Sequence, residues 1–245
     1  MQNEIQPKEK EQLICLNIPE SQIKRDPHTI EELALGAKNQ RASRIAGEFD
    51  AGLKFIKKYK KAVTFYGSAR CKPNTPHYDQ ARRLGFALSK LGYTIITGGG
   101  PGIMEAGNRG AKEAGGPSIG LNIQLPSEQV INPYCSDSLS FYYFFSRKTT
   151  MSFSGEAYIF FPGGFGTLDE FFEIITLIQT KKLKPIPVVL VGSDFWNPLQ
   201  KFIEDVVLLR HAAIEKKDLK LYTILDDENA VIKFISKTPR IKKLI

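Results

Sequence analysis

From Ala62 onward, short apolar runs alternate with stretches whose apolar residues recur every three or four positions. The runs AVTFYG (62–67), YTIITGG (93–99), SIGLNI (118–123), AYIFFPGG (157–164), IPVVLVG (186–192) and YTILDD (222–227) read as strands. Segments at about 78–91, 102–114, 167–180, 195–209 and 227–236 read as the helices between them. Strands apolar on both faces and joined by crossover helices predict a Rossmann-like α/β fold, a doubly wound, mostly parallel sheet with helices on both faces. Upstream, residues 28–59 have helical spacing with a break expected near Gly47 or Gly52, behind an irregular lead carrying Pro7, Pro19 and Pro27. The expected division is an irregular and helical extension at 1–60 and the α/β domain at 61–245.

On such a sheet ligands bind outside the carboxyl ends of the strands, and three of those ends carry glycine turns. They are Gly67-Ser68, Gly98-Gly99-Gly100-Pro101-Gly102 and Gly163-Gly164-Phe165-Gly166-Thr167. Glycines let the backbone approach a ligand, and the N–H groups of the helices that follow favour an anion such as a phosphate. One such turn is as easily a mere turn as a cradle; three on one sheet edge point to a nucleotide or sugar phosphate. No G-x-G-x-x-G and no G-x-x-x-x-G-K-[ST] is present, which removes the fingerprints of an ordinary dinucleotide dehydrogenase and a P-loop NTPase.

Composition narrows the picture further. A length of 245 residues with 42% hydrophobic and 24% charged residues suits one large α/β domain with an appended element. No apolar leader and no apolar run approaching a membrane span is seen, so no signal peptide and no membrane contact is expected. Cys15, Cys71 and Cys135 are scattered, and His28, His77 and His211 lack ligand spacing, so neither disulfides nor a metal site is expected and the cytoplasm is the default compartment. The net charge of +8 gathers in KFIKKYKK (54–61) and KTPRIKKLI (237–245), which read as solvated basic faces, so a nucleic-acid partner is not expected. Trp196 reads as an anchor of a helix start.

Two charged groups remain. Thr167-x-x-Glu170 has capping-box spacing, with Thr167 capping a helix and Glu170 reaching back to it; the alternative is a catalytic carboxylate beside the glycine turn. Arg147-Lys148 head a segment with apolar residues on one helical face, which could aim Arg147 at the same place.

These residues resemble the LOG family, named for the Lonely guy cytokinin-activating enzymes and often labelled lysine decarboxylases. The family pattern P-G-G-x-G-T-x-x-E is met by Pro162, Gly163, Gly164, Gly166, Thr167 and Glu170, and its R-K-x-x-M by Arg147, Lys148 and Met151. TGGGPGIMEAGNRGA (97–111) resembles the second glycine-rich turn, and GLNIQLPSEQVINPY resembles the longer bacterial branch. The resemblance covers roughly 60–235. It implies a phosphoribohydrolase that cleaves the N-glycosidic bond of a purine nucleoside 5′-monophosphate, AMP or a cytokinin riboside monophosphate, giving free base and ribose 5-phosphate. It also implies a homodimer with the site near the interface and no cofactor.

Carried over by position, Glu170 and Arg147 are the catalytic residues. Gly164, Gly166 and Thr167 hold the 5′-phosphate, and Ser68, Gly99 and Gly100 complete the nucleotide pocket. Gly67, Gly163 and Lys148 join the binding set, as does Met104, which faces either the base or the core. Glycosidic cleavage builds positive charge on the sugar, and a carboxylate near the anomeric carbon stabilises it and can deprotonate water. The rival reading is a nucleotide-binding or sensing module without turnover, because one architecture serves both.

Overall fold

All five residues of β1 (Ala62–Tyr66) are buried, as befits the strand around which the fold is wound. The computed structural model describes residues 38–124 and 131–238. By its contacts the chain divides into two units, 1–44 and 45–245, and the sheet belongs to the second. The elements in chain order are α1 (Lys38–Lys57), β1, α2 (Pro76–Lys90), β2 (Thr94–Thr97), α3 (Ile103–Glu113), β3 (Ser118–Ile123), β4 (Asp137–Phe141) and α4 (Phe144–Ser152). They continue with β5 (Ala157–Phe160), α5 (Phe165–Gln179), β6 (Val188–Leu190), α6 (Ser193–Phe202), β7 (Thr223–Ile224) and α7 (Glu228–Lys237).

Among the described residues seven strands pair in the order β4-β3-β2-β1-β5-β6-β7, every neighbouring pair parallel. The chain winds outward from β1 to β4, then returns to lay β5 on the other side of β1. The sheet therefore reverses its winding between β1 and β5, and the crevice at their carboxyl ends is where a ligand binds on such a sheet.

The period of two along β1 sorts its side chains onto two cores. Val63 and Phe65 pack with Leu84 and Leu88 of α2, Ile103 of α3 and Val231 of α7. Ala62 and Tyr66 face the other way, with Ile56 of α1, Met151 of α4, Phe171 and Ile174 of α5 and Trp196 of α6. Trp196 anchors the start of α6, wholly buried with its indole N–H donating to the Val191 carbonyl at 3.1 Å.

The expected doubly wound parallel sheet is present, and three details differ from the sequence reading. The edge strand β4 was not foreseen: DSLSF is mostly polar and partly exposed, and its identity comes from pairing five residues with β3. Helix α1 runs unbroken through Gly47 and Gly52. At Gly52 the reason is close packing, because a Cβ there would lie 2.4 Å from the Thr150 hydroxyl on α4. The helix expected at 195–209 changes winding, α6 passing into a π-helical stretch at Ile203–Arg210. Residues 28–37 and 239–245, part of the expected extension and of the basic tail, lie outside the described residues.

Candidate active site

The three glycine turns meet and are hydrogen-bonded to one another. Ser68 N–H donates to the Pro162 carbonyl at 3.0 Å, and the Ser68 carbonyl accepts from Ile103 N–H at 3.1 Å. The first turn is thus tied to the other two. Gly67 lies against the start of α3, where a Cβ would come within 2.8 Å of Ile103.

The second turn rests on a buried polar network. Gly99 adopts φ +74°, open to glycine at little cost, and its N–H donates to Thr97 Oγ1 at 2.9 Å. Thr97 donates onward to Asn108 Oδ1 at 2.6 Å. Asn132 Nδ2 reaches the carbonyls of Gly99 and Gly100 at 3.1 and 3.0 Å and Asn108 Oδ1 at 3.0 Å. Asn108 Nδ2 donates to Ser118 Oγ at 2.9 Å. A buried network with its donors matched to acceptors fixes a single arrangement, since any alternative strands polar groups away from water.

Against this turn lies Arg147, presented by the first turn of α4. Its Nε donates to the Leu121 carbonyl at 2.7 Å, and Nη1 stands 3.6 Å from Glu170 Oε1, the two side chains 9% and 15% exposed. Gly98 gives the guanidinium its room: a Cβ there would sit 2.3 Å from Arg147 Nη2 and 2.7 Å from Met104 Sδ. Met104 is half-buried and lies along Gly98 and Gly100 beside Arg147, outside both cores.

Glu170 is pushed up to about 7, chiefly by burial; Arg147 and Lys148 oppose the rise while Asp169 and Glu173 add to it. Tyr66, at the end of β1, is held well above the ordinary phenol range by burial and then by the Glu170 carboxylate. Lys148 turns to the flank of α5, its ammonium 2.5 Å from Asp169 and 3.3 Å from Glu173. A carboxyl that titrates near neutrality beside a fixed guanidinium can take a proton or stabilise a cation at ordinary pH.

The third turn starts α5 two residues earlier than the sequence suggests. Gly164 is the N-cap and supplies no side-chain bond, so Thr167 is the third helical residue, buried, and not the cap. The Thr167–Glu170 capping box is therefore not formed, and Glu170 faces Arg147 instead. Gly163 lies under Thr167, where a Cβ would meet Oγ1 at 2.2 Å. At Gly164 and Gly166 a Cβ would meet nothing within 4 Å, so the space before the first N–H groups of α5 is open. Phe165 between them is 93% exposed.

The structure thus brings Gly67, Ser68, Gly98, Gly99, Gly100, Met104, Arg147, Gly163, Gly164, Gly166, Thr167 and Glu170 to one sheet edge and turns Lys148 aside. Sequence reasoning missed Gly98, Tyr66, Thr97, Asn108 and Asn132. A signal existed only for Asn108, a polar residue on the otherwise small and apolar buried face of α3. Among the described residues no three His, Cys, Asp or Glu side chains come together as a metal site, and no helix is long and apolar enough to cross a membrane.

Comparison with known proteins bears on this geometry. The family model described as possible lysine decarboxylase matches residues 104–235, more than half of the chain and including Arg147 and the Gly163–Glu170 turn. The chain belongs to this family, the LOG family of the sequence resemblance. This LOG family member is 30% identical over 154 residues to a probable cytokinin riboside 5′-monophosphate phosphoribohydrolase of Oryza sativa subsp. japonica, covering 61% of each chain. It is 27% identical over 161 residues to a cytokinin riboside 5′-monophosphate phosphoribohydrolase of Rhodococcoides fascians, covering 63% of this chain and 77% of that one.

Among solved structures, the Moco carrier protein of Chlamydomonas reinhardtii superposes with TM-score 0.54 at 24% identity, over 73% of this chain and 96% of that one. The molybdenum cofactor binding protein of Rippkaea orientalis does so with TM-score 0.52 at 21% identity, over 71% and 93%. At these identities the LOG family member shares their fold.

Proposed function

We propose that the protein is a phosphoribohydrolase, cleaving the N-glycosidic bond of a purine nucleoside 5′-monophosphate to give the free base and ribose 5-phosphate. The observation that carries this reading is the Arg147–Glu170 pair, 3.6 Å apart where three glycine turns meet, with the carboxyl pushed to about 7. Names of relatives that act on cytokinin riboside 5′-monophosphates support it.

In this reading the 5′-phosphate lies in the open space before α5, held by the backbone N–H groups of Gly164, Gly166 and Thr167 and favoured by the helix dipole. Ser68, Gly99 and Gly100 line the ribose and base, with Met104 beside them. Glu170 as carboxylate stabilises the positive charge that grows on the anomeric carbon as the C–N bond breaks. It also takes a proton from the water that forms the new C–O bond. The electron pair of the broken bond leaves with the base, which gains a proton. Arg147 keeps its charge throughout and acts by hydrogen bonding to the nucleotide and the departing base.

The reading assigns catalysis to residues 61–245 and includes a cytoplasmic homodimer with the site near its interface. Tyr142, Phe144 and Phe145, exposed beside the Arg147 turn, offer an aromatic surface for that contact. Incubation of the purified protein with AMP, other nucleoside monophosphates and a prenylated AMP, followed by chromatography of base and ribose 5-phosphate, tests it. Base release that is lost in Glu170→Gln is the expected result. Tight nucleotide binding without release from any of them replaces it with a binding or sensing module.

A further inference from the structure

Helix α4, which presents Arg147, has no cap of its own: its N-cap residue is Tyr143, with no side-chain bond to the free N–H groups of the first turn. The anion at this helix start comes from α1. Glu48 accepts from Tyr142 N–H at 2.7 Å through Oε1 and from Tyr143 N–H at 3.2 Å through Oε2, and the Ser146 hydroxyl donates to the same Oε2. One turn further along, Gly52 of α1 meets Thr150 of α4, the close approach that only a glycine permits. The rings of Phe49 and Phe145 lie 6.3 Å apart. At its far end α1 is rooted in the core through Phe55 and Ile56.

The bland account is a helix cap worth about 1 kcal/mol of stability and nothing more. The contacts fall, however, on the two residues before α4 and on Ser146, directly beside Arg147. Among the described residues the Arg147 guanidinium is anchored by its bond to the Leu121 carbonyl beside the Glu170 contact, so its reach toward Glu170 depends on where this turn sits. A displacement of about 1 Å at such a point costs on the order of a hundredfold in rate.

We propose that Glu48 is a positioning residue: its carboxylate fixes the first turn of α4 and so holds Arg147 in register with Glu170, which makes α1 part of the working site. The proposal rests on the hydrolase reading for its kinetic consequences and on the geometry alone for its electrostatic one. The charged and titratable groups facing Glu170 are Arg147 and Lys148 from α4, Asp169 and Glu173 on α5, and Tyr66 from β1. Arg147 leads those that lower the Glu170 carboxyl, so a displaced Arg147 lets it rise further.

The test is a double-mutant cycle of Glu48→Ala with Arg147→Ala, run beside Glu48→Gln, which keeps the length and one acceptor oxygen. In Glu48→Ala, kcat/KM on AMP is expected to fall about 10–100-fold with its acid limb moved to higher pH, and in Glu48→Gln to fall less. In the Arg147→Ala background Glu48→Ala is expected to change neither. An equal loss in both backgrounds, or unaltered kinetics in folded Glu48→Ala, overturns the proposal. If Glu48→Ala does not fold by circular dichroism, Glu48→Gln takes its place in the cycle. If the wild type releases no base, the hydrolase reading fails by itself, and the same cycle is read by carbon NMR titration of Glu170. A Glu170 titration unmoved by Glu48→Ala then overturns the positioning role, and a rise that vanishes in the Arg147→Ala background supports it.

Discussion

Glu170 shows how one carboxylate is given its character by its surroundings. Its spacing from Thr167 is that of a capping box, yet α5 starts at Phe165 with Gly164 as its N-cap, and the carboxyl is turned to Arg147 in a site dry enough to raise it to about 7. If the ionised form works, kcat/KM rises with pH through about 7 and then levels, which a pH-rate profile on AMP checks. Glu170→Gln is expected to lower turnover on the order of 10²–10⁴-fold. The same change bears on stability. A folded carboxyl titrating above its ordinary 4.5 binds a proton more tightly than the unfolded chain does, so this contribution is whole below 4.5 and is lost as pH rises through about 7. Urea unfolding of Glu170→Gln at pH 8 is expected to give on the order of 2 kcal/mol more stability than wild type, a gain that disappears at pH 5. Arg147 and Glu170 were legible in the sequence as charged residues beside a glycine turn. Gly98 was not, because nothing in a run of three glycines says which of them makes room for a guanidinium from a later helix.

The elements of the site are held by groups that the binary pattern does not rank. Gly98→Ala, with a Cβ 2.3 Å from Arg147 Nη2, is expected to displace the guanidinium and lower kcat/KM about 10–100-fold while the melting temperature moves little. The second turn depends on Asn132, whose side-chain amide donates to the Gly99 and Gly100 carbonyls; without it Gly99 keeps only the Asn132 backbone N–H at 2.8 Å and Gly100 loses its amide donor. Asn132→Ala should cost about 1–3 kcal/mol of stability and weaken AMP binding, read by calorimetry. The glycine turns themselves were plain in the sequence because strand, glycine and helix follow one another locally. Asn132 was not, because its partners lie on another turn. The strand β4 was hidden for a related reason: at a sheet edge a polar strand is specified by its neighbour and not by burial. Helix α1 was expected to break at its glycines, whereas Gly52 serves a contact with α4 that no local propensity encodes.

At the scale of the molecule, Phe171 ties the elements behind the site into one core. Its ring touches Phe160 of β5, Trp196 of α6 and Tyr222 before β7. Phe171→Ala is expected to destabilise the whole unit by about 3–5 kcal/mol in a single urea transition. Separate transitions for the two halves of the sheet would show that they are not one cooperative body. The winding reversal between β1 and β5 brings turns from distant parts of the chain into one crevice, with the Ser68–Pro162 hydrogen bond as its seam.

The sequence by itself determined the parallel α/β architecture and the glycine turns at the strand ends, while the charged pair was singled out through the family resemblance. The architecture and the turns are written in local periodicity and in spacing along one stretch of chain. Only the tertiary structure decided that Glu170 meets Arg147 and does not cap its own helix, that Lys148 turns away to Asp169 and Glu173, and that Glu48 binds the two residues before the helix carrying Arg147 and Ser146 within it. Each of these is a choice among partners far apart in the chain. Closeness in space makes that choice, and it has no period in the sequence.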